Sequence, residues 1–373
     1  MQNDLFSVLV IGYNNWNYFK ECLDSILNQT YDNIELIISD DNGKNFNPEI
    51  IRNYIIANKK SNIKRIVINK NIKNLGTVKH LNKLLNIFNG EYVKIISVDD
   101  ILAEDNILDS AHFLMKKENS LFCTGKMKVY SQDMKSLVEI IPNDNYFLKL
   151  KKESNETLAR NALIFNGKTF PGPARFYTKK FFKLYGYFDE NYFLRETSTL
   201  LTKALKEGLK ISFLDKVVVK YRLGRVSKKE NSTHNLYMKD MSTLYNKEVY
   251  PQHGINIFDG KKYVVWGASG KYLTFKDTLP ISKIEYFIDS DKKKANKIFD
   301  NKLIFSPEKL LTENKKDIFI IVCSSYYLEI EEWLINNGFQ EKKNFIFVHL
   351  IKNLNHPEEY KRKLGYFQNI NNF

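Results

Sequence analysis

The chain has 373 residues, 43% of them hydrophobic and 14% aromatic, with a formal net charge of +14. That length favours two domains over one and supports a sizeable core. Its three cysteines, Cys22, Cys123 and Cys323, stand far apart without metal-ligand spacing, which speaks against a disulfide framework and fits a reducing cytoplasm. No apolar run reaches transmembrane length, and the N-terminus enters the strand-like FSVLVIGYN without a basic leader region or cleavage site. Between residues 151 and 250, 20 Lys and Arg face 10 Asp and Glu. Such a basic middle suits a phosphate-bearing ligand, nucleic acid or an anionic membrane surface, or simply keeps a Lys/Asn-rich chain in solution. No stacking platform or recognition fold accompanies the charge, so no nucleic-acid partner is expected.

In chain order, FSVLVIG (6–12) predicts a strand, and WNYFKECLDSILNQ (16–29) spaces its apolar residues at helical period. IELIISDD (34–41) and IKRIVIN (63–69) predict two more strands, GTVKHLNKLLNIF (76–88) an amphipathic helix closed by Gly90, and EYVKIISV (91–98) a fourth strand. Strands alternating with helices predict a parallel sheet covered on both faces, whose ligands bind beyond the carboxyl ends of the strands. Tyr13, Asp40, Asp41, Asp99 and Asp100 all fall at such ends. Further on, FFKLYGYFDENYF (181–193) turns at Gly186, ETSTLLTKALKEG (196–208) predicts a helix closed by Gly208, and 209–223 a strand, a turn and a strand. A new strand–loop–helix unit starts at 261–279, with strands at 284–291 and 317–325 and a helix at 327–339. The predicted organisation is therefore a first domain at 1–235, a helical linker at 236–260 and a small α/β domain at 261–373.

Two strands end in paired carboxylates, ISDD (38–41) and SVDD (97–100). A carboxylate at the end of a buried strand is costly without a positive partner or hydrogen-bond donors. The plainer readings are an Asx-turn cap for the first pair and a strand-ending turn for the second.

Residues 5 to about 225 resemble an inverting glycosyltransferase of family 2. Five segments carry the resemblance, in the family's order: SVLVIGYNNWNYFKECLDSILNQTYDNIELIISDDNG (7–43), NLGTVKHLNKLL (74–85), YVKIISVDDIL (92–102), FPGPARFYTKKFFKLYGYFDE (170–190) and ETSTLLTKALKEG (196–208). The resemblance implies an α/β fold with a GT-A type nucleotide-binding mixed sheet flanked by helices. It implies a nucleotide-sugar donor, UDP-sugar favoured, and a glycan or polyprenyl-linked acceptor. The positive partner of the second pair would then be Mn²⁺ or Mg²⁺, held by Asp99 against the donor diphosphate, with Asp100 orienting the sugar. Nucleotide binding would fall to Tyr13, to Asp40 or Asp41 (Asp41 by preference), to Asn74 and Gly76, and to Asp99. The acceptor side would involve Gly172 and Arg175, and Arg222 or Arg225 would contact phosphate. Glu196, twelve residues before Gly208, would be the catalytic base.

The chain departs from the family's pattern at Ser97, where an Asp is usual, at Thr197, where a second acid is usual, and at Gly224, where a His is usual; His234 offers a substitute for the last. These departures carry an alternative reading, a catalytically inactive glycosyltransferase-like scaffold or a glycan-binding partner of another transferase. In the tail, VVWGASGKYL (264–273) followed by YFIDSD (286–291) resembles a Rossmann-like fingerprint with its glycines reduced to G-x-x-G, and Asp289 stands where a ribose-binding acid would. The tail either binds a nucleotide or keeps the fold for structure and homo-oligomer formation. The expected setting is surface polysaccharide or glycan synthesis in the cytoplasm, with peripheral contact at the inner face of the membrane.

Overall fold

A computed structural model describes residues 4–193, 195–223, 261–276, 281–324, 326–341 and 343–348, together with Asp240 and Leu279. The chain divides into two compact units, Met1–Tyr237 and Met238–Phe373. The expected linker at 236–260, with the exception of Asp240, and the residues Gly224, Arg225 and His234 lie outside the described residues.

The first unit begins with β1 (Phe6–Gly12), α1 (Phe19–Leu27), β2 (Ile34–Asp40), α2 (Pro48–Asn58), β3 (Ile63–Lys70), α3 (Thr77–Leu85) and β4 (Tyr92–Ser97). Every residue of β2 is buried, as expected for a strand covered on both faces, and α1 sinks Cys22, Leu23, Ile26 and Leu27 into the core. The start of α2 is set locally. The Asn47 side chain accepts from the N–H groups of Glu49 and Ile50 at 3.0 and 3.1 Å, and Pro48 occupies the first helical position, where no donor is needed. These strands pair in parallel in the order β3-β2-β1-β4.

The sheet then changes character. It continues through β5 (Ile101–Leu102), α4 (Ile107–Glu118), β6 (Phe122–Tyr130), β7 (Leu137–Ile141), α5 (Asp144–Leu150), α6 (Asn155–Phe165), β8 (Arg175–Thr178), α7 (Lys179–Tyr185), α8 (Glu196–Lys206) and β9 (Ile211–Arg222). The full order is β3-β2-β1-β4-β8-β6-β9-β5, with β7 on β6. β8 runs antiparallel between β4 and β6, so the strands that strand–helix alternation predicts to be parallel form one half of a mixed sheet. The predicted strand–turn–strand at 209–223 is one twelve-residue strand. The first unit is thus a mixed α/β sheet flanked by helices, the layout expected from the sequence.

The second unit carries β10 (Lys262–Trp266), β11 (Ile284–Ile288), β12 (Ile298–Phe299), β13 (Lys302–Phe305), β14 (Ile318–Val322) and β15 (Phe345–Phe347). Their order, β12-β13-β11-β10-β14-β15, reverses at β10, and all pairs are parallel except β12 with β13. This is a doubly wound sheet with its switch point beside β10. Helices Gly270–Phe275 and Tyr327–Asn336 belong to this unit. No described helix is long and apolar enough to cross a membrane.

Candidate active site

The carboxyl ends of the parallel strands line up. Gly12 of β1 is in register with Asp40 of β2, and Ile11 with Ser97 of β4. The segments that leave these ends carry most of the residues singled out in the sequence.

Asp40 is fully buried. Its Oδ1 accepts the Trp16 indole N–H at 2.6 Å and its Oδ2 the Gly43 backbone N–H at 2.6 Å, so it closes the loop after β2 over an aromatic lid. Asp41 is the pivot of a different loop. Its Oδ1 accepts from Asn71 Nδ2 at 2.8 Å and Leu75 N at 2.9 Å, and its Oδ2 accepts from Gly76 N at 2.9 Å. Asn74 Oδ1 shares the Gly76 donor at 2.9 Å. Gly76 sits at φ +78°, a left-handed value that a side chain would strain, and its carbonyl opens α3 by accepting from His80 N at 3.0 Å. Asn74 and Gly76 are exposed on this fixed loop, and Tyr13, half exposed, leaves β1 on the same end of the sheet.

At the end of β4, the Ser97 hydroxyl donates to Asp99 Oδ1. Ser97 therefore orients the Asp99 carboxylate. Asp100 is almost wholly buried. One of its oxygens accepts Arg222 N at 3.2 Å, and the other, Oδ2, has no hydrogen-bond partner. Burial first, and the neighbouring Asp99 charge second, hold the Asp100 carboxyl well above the usual carboxylate range. Arg222 encloses this turn. Its guanidinium donates to Asp99 O at 3.1 Å, Gln132 O at 2.8 Å and Glu21 Oε2 at 2.6 Å, and it lies 4.1 Å from the centre of the Tyr18 ring. The arginine expected at the phosphate thus serves as a brace across β9, α1 and the Asp99 turn.

Two adjacent carboxylates, one with a buried oxygen lacking a donor, fit a hard divalent cation. Among the described residues no cluster of three or more His, Cys, Asp or Glu could hold a metal alone. A cation at Asp99 and Asp100 would draw its remaining ligands from water and a bound diphosphate, as Mg²⁺ ordinarily does.

The acceptor-side residues form a third group. Glu196 is buried at the first position of α8. Arg175 is 2% exposed, with its guanidinium donating to Phe170 O and, at 2.9 Å, to Thr197 O. It lies behind the Gly172–Ala174 turn and ties that turn to the start of α8. Sequence reasoning missed the residue that links this group to β4. Lys94 is fully buried in β4, its ammonium donates to Pro173 O and to Arg175 O at 3.4 Å, and it lies 5.0 Å from the centre of the Phe176 ring. Burial pushes its pKa down to about 7 against the opposing pull of Asp100. A lone lysine within EYVKIISV was the available signal. Trp16, Asn71 and Glu21 were also missed, because each acts through a partner distant in sequence.

In the second unit, Asp289 Oδ2 accepts from Ala268 N at 3.2 Å and Lys294 Nζ at 2.8 Å. The acid expected at a ribose is engaged by the protein's own donors.

Residues 7–185 match the family model described as Glycosyl transferase family 2, and residues 260–345 match a second, C2185-like, N-terminal. Glycosyltransferase GlyG of Streptococcus pneumoniae is 28% identical over 130 residues, covering 35% of this chain and 41% of its own length. The uncharacterized glycosyltransferase MJ1057 of Methanocaldococcus jannaschii is 26% identical over 225 residues, 60% of this chain and 72% of that one. Among solved structures, a mannosyltransferase from Pyrobaculum calidifontis in complex with GDP-Man and Mn²⁺ superposes with a TM-score of 0.49 at 16% identity, covering 66% of this chain and 65% of that chain. The chain thus spans less than half of GlyG and about two thirds or more of the other two.

Proposed function

We propose that this chain, whose first unit carries a glycosyltransferase family 2 domain, transfers a sugar from a nucleotide diphosphate donor to a hydroxyl of a glycan or polyprenyl-linked acceptor, with inversion at the anomeric carbon. A UDP-sugar is the favoured donor. The observation that carries the reading is the convergence, at the carboxyl ends of β1, β2 and β4, of the loop clamped by Asp41 with the Asp99–Asp100 pair. A clamped loop with exposed backbone suits a nucleotide, and a carboxylate pair suits the cation that accompanies a diphosphate.

In this reading Tyr13, Asn74 and Gly76 line the nucleotide pocket, and Asp41 acts on it by holding the loop. Asp99 and Asp100 would hold Mn²⁺ or Mg²⁺, and such an ion, when bound, neutralises charge on a departing diphosphate. Ser97 keeps the Asp99 carboxylate aimed, and Arg222 keeps the turn closed. Glu196 takes the proton from the acceptor hydroxyl at a carboxylate oxygen, and its burial excludes water from competing for that role. We assign the reaction to surface polysaccharide or glycan synthesis at the inner face of the membrane, with the second unit serving assembly.

Thermal unfolding with UDP-, GDP-, dTDP- and CMP-sugars, each with Mn²⁺, tests this reading. Mass action should raise the melting temperature for one nucleotide class. Asp99→Ala should weaken that binding about 10- to 100-fold, the scale of metal-site perturbations. No shift with any donor, or identical binding by Asp99→Ala in Mn²⁺, would overturn it.

A further inference from the structure

Two buried cations connect the carboxylate strand to the helix that begins with Glu196. Lys94 of β4 reaches the carbonyls of Pro173 and Arg175, and the Arg175 side chain reaches the carbonyl of Thr197, one residue beyond Glu196. The same guanidinium holds Phe170 O, so the whole turn from 170 to 175 is pinned at three carbonyls by charged donors. Charge-assisted bonds of this kind are about twice as strong as neutral ones and are directional. An ordinary strand position facing the core would take Ile or Val. Burying an ammonium there is costly, and substituting an apolar residue of similar volume is often neutral or stabilising. Stability therefore does not explain the lysine.

We propose that Lys94 is a positioning residue for transfer: it sets the distance between the Asp99–Asp100 turn and Glu196 by fixing the 170–175 segment to β4, and Arg175 transmits that setting to α8. The inference rests on the reading of Asp99, Asp100 and Glu196 given above. Lys94 touches neither donor nor acceptor. Misplacing a reacting group by about 1 Å costs on the order of 10²-fold in rate, so the expected effect lies in turnover.

The test compares wild type with Lys94→Met in the full chain. Methionine fills the volume and removes the donor. Donor affinity, measured by thermal shift in Mn²⁺, should stay within about 2-fold, while kcat for transfer falls about 10- to 100-fold. Lys94→Arg, which restores a cationic donor, should recover part of the loss. Hydrogen exchange should rise at the amides of residues 172, 174–177 and 197–200 and stay unchanged at 71–76. Wild-type kcat in a folded Lys94→Met protein overturns the proposal, as does a parallel loss of donor affinity and turnover. If Lys94→Met does not fold, Arg175→Lys reads the link from its other end, because a lysine lacks the planar guanidinium fork that reaches Phe170 O and Thr197 O from separate nitrogens. The same split is expected there, and its absence overturns the proposal. Should the wild type bind no nucleotide sugar, the functional reading fails, and the exchange pattern alone decides whether Lys94 couples the two segments.

Discussion

The Asp41 carboxylate accepts the Gly76 backbone N–H at 2.9 Å, across 35 residues of sequence, and with Asn71 and Leu75 as further donors it holds the loop ahead of α3 in one shape. Asn71 is held in turn by Lys83 of α3 at 2.7 Å. The acid expected at the nucleotide is thus the keystone of the loop ahead of α3. Asp41→Asn puts an amide N–H against backbone donors. The loss of one charge-assisted bond and the new clash of donors should cost roughly 1.5–3 kcal/mol locally. Nucleotide affinity should fall at least 10-fold, and exchange should rise at the amides of Leu75 and Gly76. Unchanged exchange at these two amides would show that the loop is held by something else.

The proposed base role of Glu196 predicts that binding and turnover separate. Glu196→Gln keeps the size of the side chain and removes its basicity. Donor affinity should be retained while transfer falls by roughly 10²- to 10⁴-fold, the usual worth of a positioned base. Thr197, where the sequence resemblance leads one to expect a second acid, uses its carbonyl to receive Arg175, and its neutral hydroxyl cannot replace a carboxylate. Wild-type transfer by Glu196→Gln would move the base elsewhere.

In the second unit, Gly267 follows β10 at φ +120°, and a Cβ built there would lie 2.4 Å from Cys323 O. The first glycine of the G-x-x-G turn is explained by this close approach of β10 to the end of β14, with no ligand needed. Gly267→Ala should destabilise the second unit by roughly 1–3 kcal/mol, the scale of one strained backbone position. Exchange should increase across residues 262–266 and 318–323, and donor binding by the first unit should be unaffected. Donor affinity that fell with this substitution would contradict the assignment of the nucleotide site to the first unit.

The parallel half of the first sheet was legible because its strands are continuous apolar runs that stop at Gly12, Asp40 and Ser97, and a run buried on both faces needs no partner to be recognised. β8 was not, because four residues, RFYT, inside a segment already matched to an acceptor-side motif carry too little periodicity to mark a strand. The segment 209–223 was read as two strands about a turn, and its middle carries the charged Asp215 and Lys216. Both are surface residues of a continuous strand, paired to Lys126 at 2.9 Å and to Glu104 at 2.8 Å. The candidate residues were found where motif and strand end coincide. What their side chains hold was not legible, since the donors to Asp40, Asp41 and Asp99 are a tryptophan, four loop groups and a serine that no spacing rule connects. Lys94 stood out only as a lone lysine in an apolar strand, and what it holds was hidden for the same reason. Only the folded chain brings the carbonyls of Pro173 and Arg175 to a lysine some 80 residues earlier.

Lys94 also gives stability a pH dependence whose sign follows from its burial. Its pKa is lowered from the model-compound 10.5 to about 7, by burial first, with the charge of Asp100 opposing; Cys123 and the carbonyls of Pro173 and Arg175 also face it. Below about pH 7 both folded and unfolded chains carry the proton, and the cost of the buried charge is present in full. Above that, the unfolded chain holds a proton that the native chain has released, so stability rises with pH until the unfolded lysine titrates near pH 10. The slope for one group is at most about 1.4 kcal/mol per pH unit. Lys94→Met has no such group. At pH 7 the variant should therefore be at least as stable as wild type, and wild type should gain on it steadily between pH 7 and 9. Urea midpoints of both proteins at pH 7, 8 and 9 measure the difference, with titrating groups remote from Lys94 cancelling in the comparison and only its neighbours Asp100 and Cys123 changing with it. Parallel profiles would mean that Lys94 keeps its proton throughout this range, held by its two carbonyls and Asp100 more strongly than burial opposes it.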